Sequence, residues 1–333
     1  MSTYDLHAHI MTRDAIDAMR TMFPEHSPRL VDLSGATYIE YPGREPMGPL
    51  APGMFDLDIR LHDMGQQKVD VQLLSVPPSN FFYHLPAEVG SAFSISNNDA
   101  MCAVASERPD RFQVFATLPL QDVAAAVREI ERVRAISVVR GVEIGTNVDG
   151  VDLDADQLDP VWQALVEADL PVWIHPDQRT IAGSDRLTHY YLQNLIGNPL
   201  ETTIAVGSLI FGGVLDRHPL LRVGLVHGGG FAPYQLGRWR HGWEVRAEAR
   251  ARLTNASPES YFARLTIDSL THSEASLRFL GETYGWDRVV VGSDYPFDMG
   301  PSGPVTEVEA LHLDHALERA VRTTNAEAFL RKI

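Results

Sequence analysis

Eight short runs rich in apolar and β-branched residues punctuate the chain, at 3–9, 69–76, 112–118, 140–146, 170–176, 221–227, 264–270 and 288–294. Within them apolar side chains follow one another instead of alternating with polar ones, the pattern of parallel strands covered on both faces. Longer stretches with helical periodicity lie between the runs, at 122–135, 158–169 and 273–285, and Asp159-Pro160 and Ser273 mark helix starts. Eight strands alternating with helices predict one α/β domain over residues 1–333, a TIM (β/α)8 barrel. Residues 12–60 break the alternation. Their Pro- and Gly-rich piece YIEYPGREPMGPLAPG predicts an inserted subdomain or lid after strand one, with a short strand in ATYIEY, and hence a distorted barrel.

The apolar stretch TTIAVGSLIFGGVLDRHP (202–219) is interrupted by Gly207, Gly212, Gly213 and Asp216. It is too short for a membrane span and reads as a helix lying between barrel strands. The segment GRWRHGWEVRAEARARL (237–253) gathers arginines in an otherwise acidic chain, and Arg250 and Arg252 read as a solvated helical face paired with Glu244 and Glu248.

Composition narrows the functional classes. Of 333 residues 44 are Asp or Glu and 28 Lys or Arg, a net charge of −16 that argues against a nucleic-acid partner. Cys102 is the sole cysteine, so no intrachain disulfide forms, and a reducing cytoplasm is the expected compartment. Asp5 and His7 stand where a signal peptide would carry a basic segment and an apolar run, so none is expected.

Barrel active sites are built from the C-terminal ends of several strands. There the runs carry His7 and His9 (first), His175 (fifth), His227 (sixth) and Asp294 (eighth). A lone HxH says little, but His7 and His9, two apart in a strand, face the same side, and the other three groups belong to the same rim. Three imidazoles and a carboxylate suit Zn²⁺, with Mn²⁺, Fe²⁺ and Co²⁺ possible by similar logic.

The motifs DLHAH (5–9), IHP (174–176), VHGGG (226–230) and GSDYPF (292–297) resemble those of the amidohydrolase superfamily, in its amidohydrolase-2 branch. LPLQD (118–122), ETTIAVGSLIFGG (201–213) and HGGGFAPYQLGR (227–238) bring the chain nearest to the 2-amino-3-carboxymuconate-6-semialdehyde decarboxylase family. The resemblance implies His7, His9, His175 and Asp294 as metal ligands, with His227 and Asp294 as catalytic groups. Binuclear members bridge two metals with a carboxylated lysine after strand four. Lys68 and Lys332 are the only lysines here and neither is near that strand, so one divalent ion is expected, Zn²⁺ first and Mn²⁺ second.

A metal in such a site lowers the pKa of coordinated water from near 16 to about 7, and an imidazole moves protons both ways near neutrality. The expected activity is nonoxidative decarboxylation of an unsaturated or aromatic carboxylic acid, with metal-bound water and His227 activating the substrate. His227 as a fourth imidazole ligand, and hydrolysis or hydration of an amide, lactone or ring-cleavage product, remain alternatives, as does a noncatalytic barrel with a structural metal.

By the same resemblance Arg238 matches an arginine that reaches the neighbouring subunit's site, which implies a homodimer. Arg246 matches a second carboxylate-binding arginine, and Arg44 lies several positions from a third. PPSNFFYHLP brings Phe81 and Phe82 to the rim as walls of an aromatic-substrate pocket or as a packed lid, and Phe297 ends the GSDYPF motif as a further candidate contact.

Overall fold

The computed structural model describes residues 2–253 and 256–330; Lys332 lies outside them. All eight expected strands form: Tyr4–His9, Val71–Ser75, Phe112–Thr117, Val139–Gly145, Val172–His175, Val223–Leu225, Thr266–Asp268 and Val289–Val290. They pair in parallel, in that order, as one eight-stranded sheet. A parallel bridge between Ala8 and Tyr295 and a hydrogen bond from Leu6 N to Val291 O (3.0 Å) bring its edges together. The last three strands are shorter than their apolar runs, because the chain leaves regular pairing at the residues that turn into the site.

The crossover helices follow from their sequences. In Val123–Val133 the Asp122 side chain caps the free N–H of Ala125, and Ala126, Ile130 and Val133 face the sheet. Ser273 caps Glu274–Tyr284 in the same way. The apolar stretch near 202–219 forms the helix Asn198–Phe211, and no helix among the described residues is long and apolar enough to cross a membrane. The arginine-rich segment begins as the helix Ala232–Val245. Beyond it Arg252 pairs with Asp154 and Asp156, and Arg250 reaches the carbonyl of Glu244.

One end of the barrel is plugged by side chains. Leu6, Leu73, Phe115, Trp173, Val226 and Val290 pack together against Phe329 and Leu330 of the last helix. Trp173 stacks on Phe115, and a Cβ at Gly224 would stand 2.0 Å from its ring, so the sixth strand has room only for glycine there. With this end filled, the polar residues at the opposite strand ends face the open mouth.

The 12–60 excursion contains a helix (Arg13–Met22), an antiparallel hairpin (Arg29–Leu33 with Ala36–Glu40) and a turn at Pro52–Met54. Met11, Ile16, Met19, Ile39, Tyr41 and Met54 form a second apolar cluster with Phe82, Val89 and Phe93. The first crossover helix, Leu57–Gln66, starts inside the excursion.

Candidate metal centre

His7 and His9 end strand one, His175 ends strand five, and Asp294 follows strand eight. Their four donor atoms lie within 4.8 Å of one another and all four residues are buried. Each ring is fixed through Nδ1: His7 on Asp268 Oδ2 at 2.7 Å, His9 on the Val76 carbonyl at 3.0 Å, and His175 on the Pro176 carbonyl at 2.9 Å. A carbonyl oxygen only accepts, so Nδ1 of His9 and His175 carries the proton and Nε2 keeps its lone pair.

The Nε2 atoms of His7 and His175 are buried without a hydrogen-bond partner among the described residues. Asp294 Oδ1 lies 3.1 Å from His9 Nε2 and 3.3 Å from His7 Nε2, the latter within ion-pair distance but not aligned as a hydrogen bond. Imidazole nitrogens and a carboxylate converging on one point, with buried polar atoms left over, fit a divalent cation.

The electrostatics agree. Burial alone favours a neutral His7 ring, but Asp294 and Asp268 outweigh it and push its pKa up to about 10. Burial would raise Asp294, yet the charge of His7 and the close approach of the His227 and His9 imidazoles hold it well below the usual carboxylate range. Burial lowers His175, and the neighbouring imidazoles lower it further. The Asp294 carboxylate thus favours a positive charge beside it, which suits the place to a cation.

His227 follows strand six. Its ring centroid is 5.2 Å from those of His7 and His175, and its Nε2 is 4.0 Å from Asp294 Oδ2. His227 (φ 54°) and Asp294 (φ 57°) both adopt left-handed backbone, which turns their side chains inward at the strand ends. Both open on a cleft of about 610 Å³ whose wall includes Phe231, Tyr234, Leu270, Phe279 and Met299. After His227 the chain must pass close to the helix at 198–211: a Cβ on Gly230 (φ 64°) would stand 2.3 Å from the Pro199 carbonyl.

Two groups here were not singled out from sequence. Asp268, at the end of strand seven, holds His7 with Oδ2 while Oδ1 accepts from Gly228 N at 2.8 Å and Leu270 N at 3.2 Å. One carboxylate thus orients a ring of the metal centre and the backbone next to His227. We expect Asp268→Asn to weaken divalent-metal binding about 10–100-fold in a chelator-competition titration; unchanged affinity would remove this role. The signal lay in an aspartate at the end of the apolar run RLTIDSL. Glu143, inside strand four, is wholly buried; burial raises its pKa, with His9 and Ser75 pulling the other way.

The substrate-contact candidates are dispersed. Phe297 packs on the His9 ring at 5.3 Å. Phe81 is buried and stacks on Tyr83, and Phe82 packs against Phe93 beneath the excursion. Neither lines the 610 Å³ cleft, so burial favours the packed-lid reading over an aromatic wall. Arg44 is exposed but near enough to Arg179 and Asp177, just past His175, to lower the pKa of both, though burial remains the larger influence on each. Arg238 is exposed and makes no ion pair among the described residues, one helical turn beyond cleft-lining Tyr234. Arg246 is exposed and pairs with Glu248 at 3.0 Å.

Comparison with known proteins agrees with this architecture. The 2-amino-3-carboxymuconate-6-semialdehyde decarboxylase of Dictyostelium discoideum is 35% identical over 257 residues, 77% of this chain and 71% of that protein. The gamma-resorcylate decarboxylase of Rhizobium radiobacter is 29% identical over 256 residues, 71% of each. The crystal structure of 5-carboxyvanillate decarboxylase from Novosphingobium aromaticivorans, complexed with manganese, shares the fold with a TM-score of 0.82 at 23% identity, over 99% of this chain and 96% of that one. The amidohydrolase family profile matches residues 4–332, and the chain belongs to that family.

Proposed function

We propose that this protein is a mononuclear, metal-dependent nonoxidative decarboxylase of an unsaturated or aromatic carboxylic acid. The observation that carries the reading is the convergence of His7, His9, His175 and Asp294, with His227 beside them on the cleft. These four residues are the metal ligands. The three-imidazole set favours Zn²⁺, while Mn²⁺ is the ion named with the 5-carboxyvanillate decarboxylase.

Bound there, a divalent ion supplies Lewis acidity toward an oxygen of the substrate. The chain's own residues do the rest. The apolar cleft wall holds an unsaturated or aromatic body, and Phe297 packs on His9 beside it. When the carbon–carboxyl bond breaks, its electron pair passes into the conjugated system of the substrate and CO₂ leaves. His227, whose Nε2 faces Asp294, delivers the proton that takes the place of the lost carboxyl.

The test is a screen of carboxyl-labelled aromatic acids and muconate semialdehydes in heavy water. Release of labelled CO₂, with solvent hydrogen at the vacated carbon, is expected. Uptake of solvent oxygen into the product without CO₂ would replace this reading by hydrolysis or hydration.

Arg238 supplies a substrate contact across a homodimer, and Arg44 and Arg246 are further carboxylate-binding candidates. The exposure of Arg238 next to Tyr234 supports a role in trans. Mixing inactive Arg238→Ala subunits with inactive His227→Ala subunits is expected to restore activity, since one site in each mixed dimer then has both groups. No recovery in dimers shown to be mixed would place the arginine's role within its own chain.

A further inference from the structure

Arg60, in the first crossover helix, is wholly buried outside the substrate cleft. Its three nitrogens reach different parts of the chain: Nε donates to the Gly53 carbonyl (3.1 Å), Nη1 to Gln72 Oε1 (3.0 Å) and Nη2 to the carbonyl of His9. Its plane lies over the Tyr295 ring at 4.8 Å. The Gln72 amide passes the connection on, Nε2 donating to Asp5 Oδ2 at 3.0 Å. Asp5 accepts from His7 N and Ser293 N, each at 3.1 Å, and from Ser293 Oγ at 2.6 Å. A buried guanidinium and a buried carboxyl group, joined by one amide, thus grip strand one at His7 and His9 and the turn that carries Asp294.

Arg60 and Asp5 meet only through the Gln72 amide, and burying charged groups adds little net stability over apolar packing, so stabilising value does not account for this arrangement. What the guanidinium provides is three donors in a rigid plane, which an ammonium on a flexible stem does not reproduce. Burial lowers the pKa of Arg60 to about 10, with Tyr295, Asp5 and Asp63 opposing, so it stays charged at neutral pH. The Gly53 contact extends the network to the excursion. A Cβ at Gly53 would stand 1.8 Å from the Tyr295 hydroxyl, so the excursion seats directly on the residue that follows Asp294.

We propose that Arg60 is a positioning residue that couples the seating of residues 12–56 to the affinity of the metal centre, through the backbone of His9 and through Gln72 and Asp5. The proposal rests on the ligand assignment made above. Coupling of this kind is reciprocal: what unseats the segment weakens metal binding, and bound metal protects the segment.

The test uses full-length protein stripped of metal, in wild-type, Arg60→Lys and Gln72→Leu forms. Mn²⁺ and Zn²⁺ affinities are measured by competition with a chromophoric chelator, and cleavage within residues 12–56 by limited proteolysis with and without metal. Both variants are expected to bind metal about tenfold more weakly, and Arg60→Lys to lose the protection that metal gives the wild type. Affinities within about twofold of wild type in the folded variants, even with a lower melting temperature, would make the network merely structural and overturn the proposal. Should Arg60→Lys fail to fold, Gln72→Leu decides, because it alters neither a ligand ring nor the cleft. Wild-type protein that binds neither ion would overturn the ligand assignment and this coupling with it.

Discussion

His227→Ala is expected to reduce turnover by about 10²–10⁴-fold, the usual contribution of a positioned acid or base, while the protein keeps one metal ion per chain. The separation follows from geometry. His227 faces the rings of His7 and His175 at 5.2 Å, yet it lies outside the group of four donors within 4.8 Å. Its ring is partly open to the cleft, where Asp294 Oδ2 lies 4.0 Å from its Nε2. Removing it deletes a proton donor and leaves the coordination set whole. Metal analysis alongside single-turnover kinetics decides the matter, for if metal is lost with activity His227 is a fifth ligand. His227→Gln, which keeps a hydrogen-bonding side chain but cannot shuttle a proton, is expected to be about as inactive.

Asp294→Ala is expected to lower metal affinity on the order of 100-fold, the upper end of what losing a residue that merely supports a ligand costs, since by the proposed assignment it removes one of four donors. It also changes the pH dependence. In the metal-free protein burial opposes protonation of His7, but Asp294 and Asp268 overcome it and bring its pKa to about 10. A metal needs the neutral ring. Around neutral pH loading is therefore expected to expel a proton, with wild-type affinity falling about tenfold for each unit of decrease. Without Asp294 the strongest influence holding that proton is gone and the slope flattens. Titration calorimetry in buffers of different ionisation enthalpy counts the proton directly. A wild-type affinity that does not vary between pH 6 and 8, with no proton released, would contradict this account of the site.

What the chain order alone determined is the barrel and the members of its rim. Strands covered on both faces must be apolar along their whole length, so eight such runs stand out, and a polar residue that ends one is conspicuous. His7, His9, His175, His227 and Asp294 were legible for that reason. The shortness of the last strands was less so, because an apolar run does not show where ladder hydrogen bonds stop.

Asp268 and Arg60 became meaningful only in three dimensions. Asp268 acts on a ring 261 positions away, and Arg60 on a backbone carbonyl 51 positions away. Neither partner can be inferred from local periodicity, which registers whether a residue faces the core but not what meets it there. The same limit applies to Phe81 and Phe82, whose position in a rim loop left wall and lid equally open until the excursion's own apolar cluster was seen to enclose Phe82. Periodic burial is a property of neighbours along the chain and survives in the sequence. Which buried polar groups pair depends on how distant segments close around one another, and that was decided by the tertiary fold.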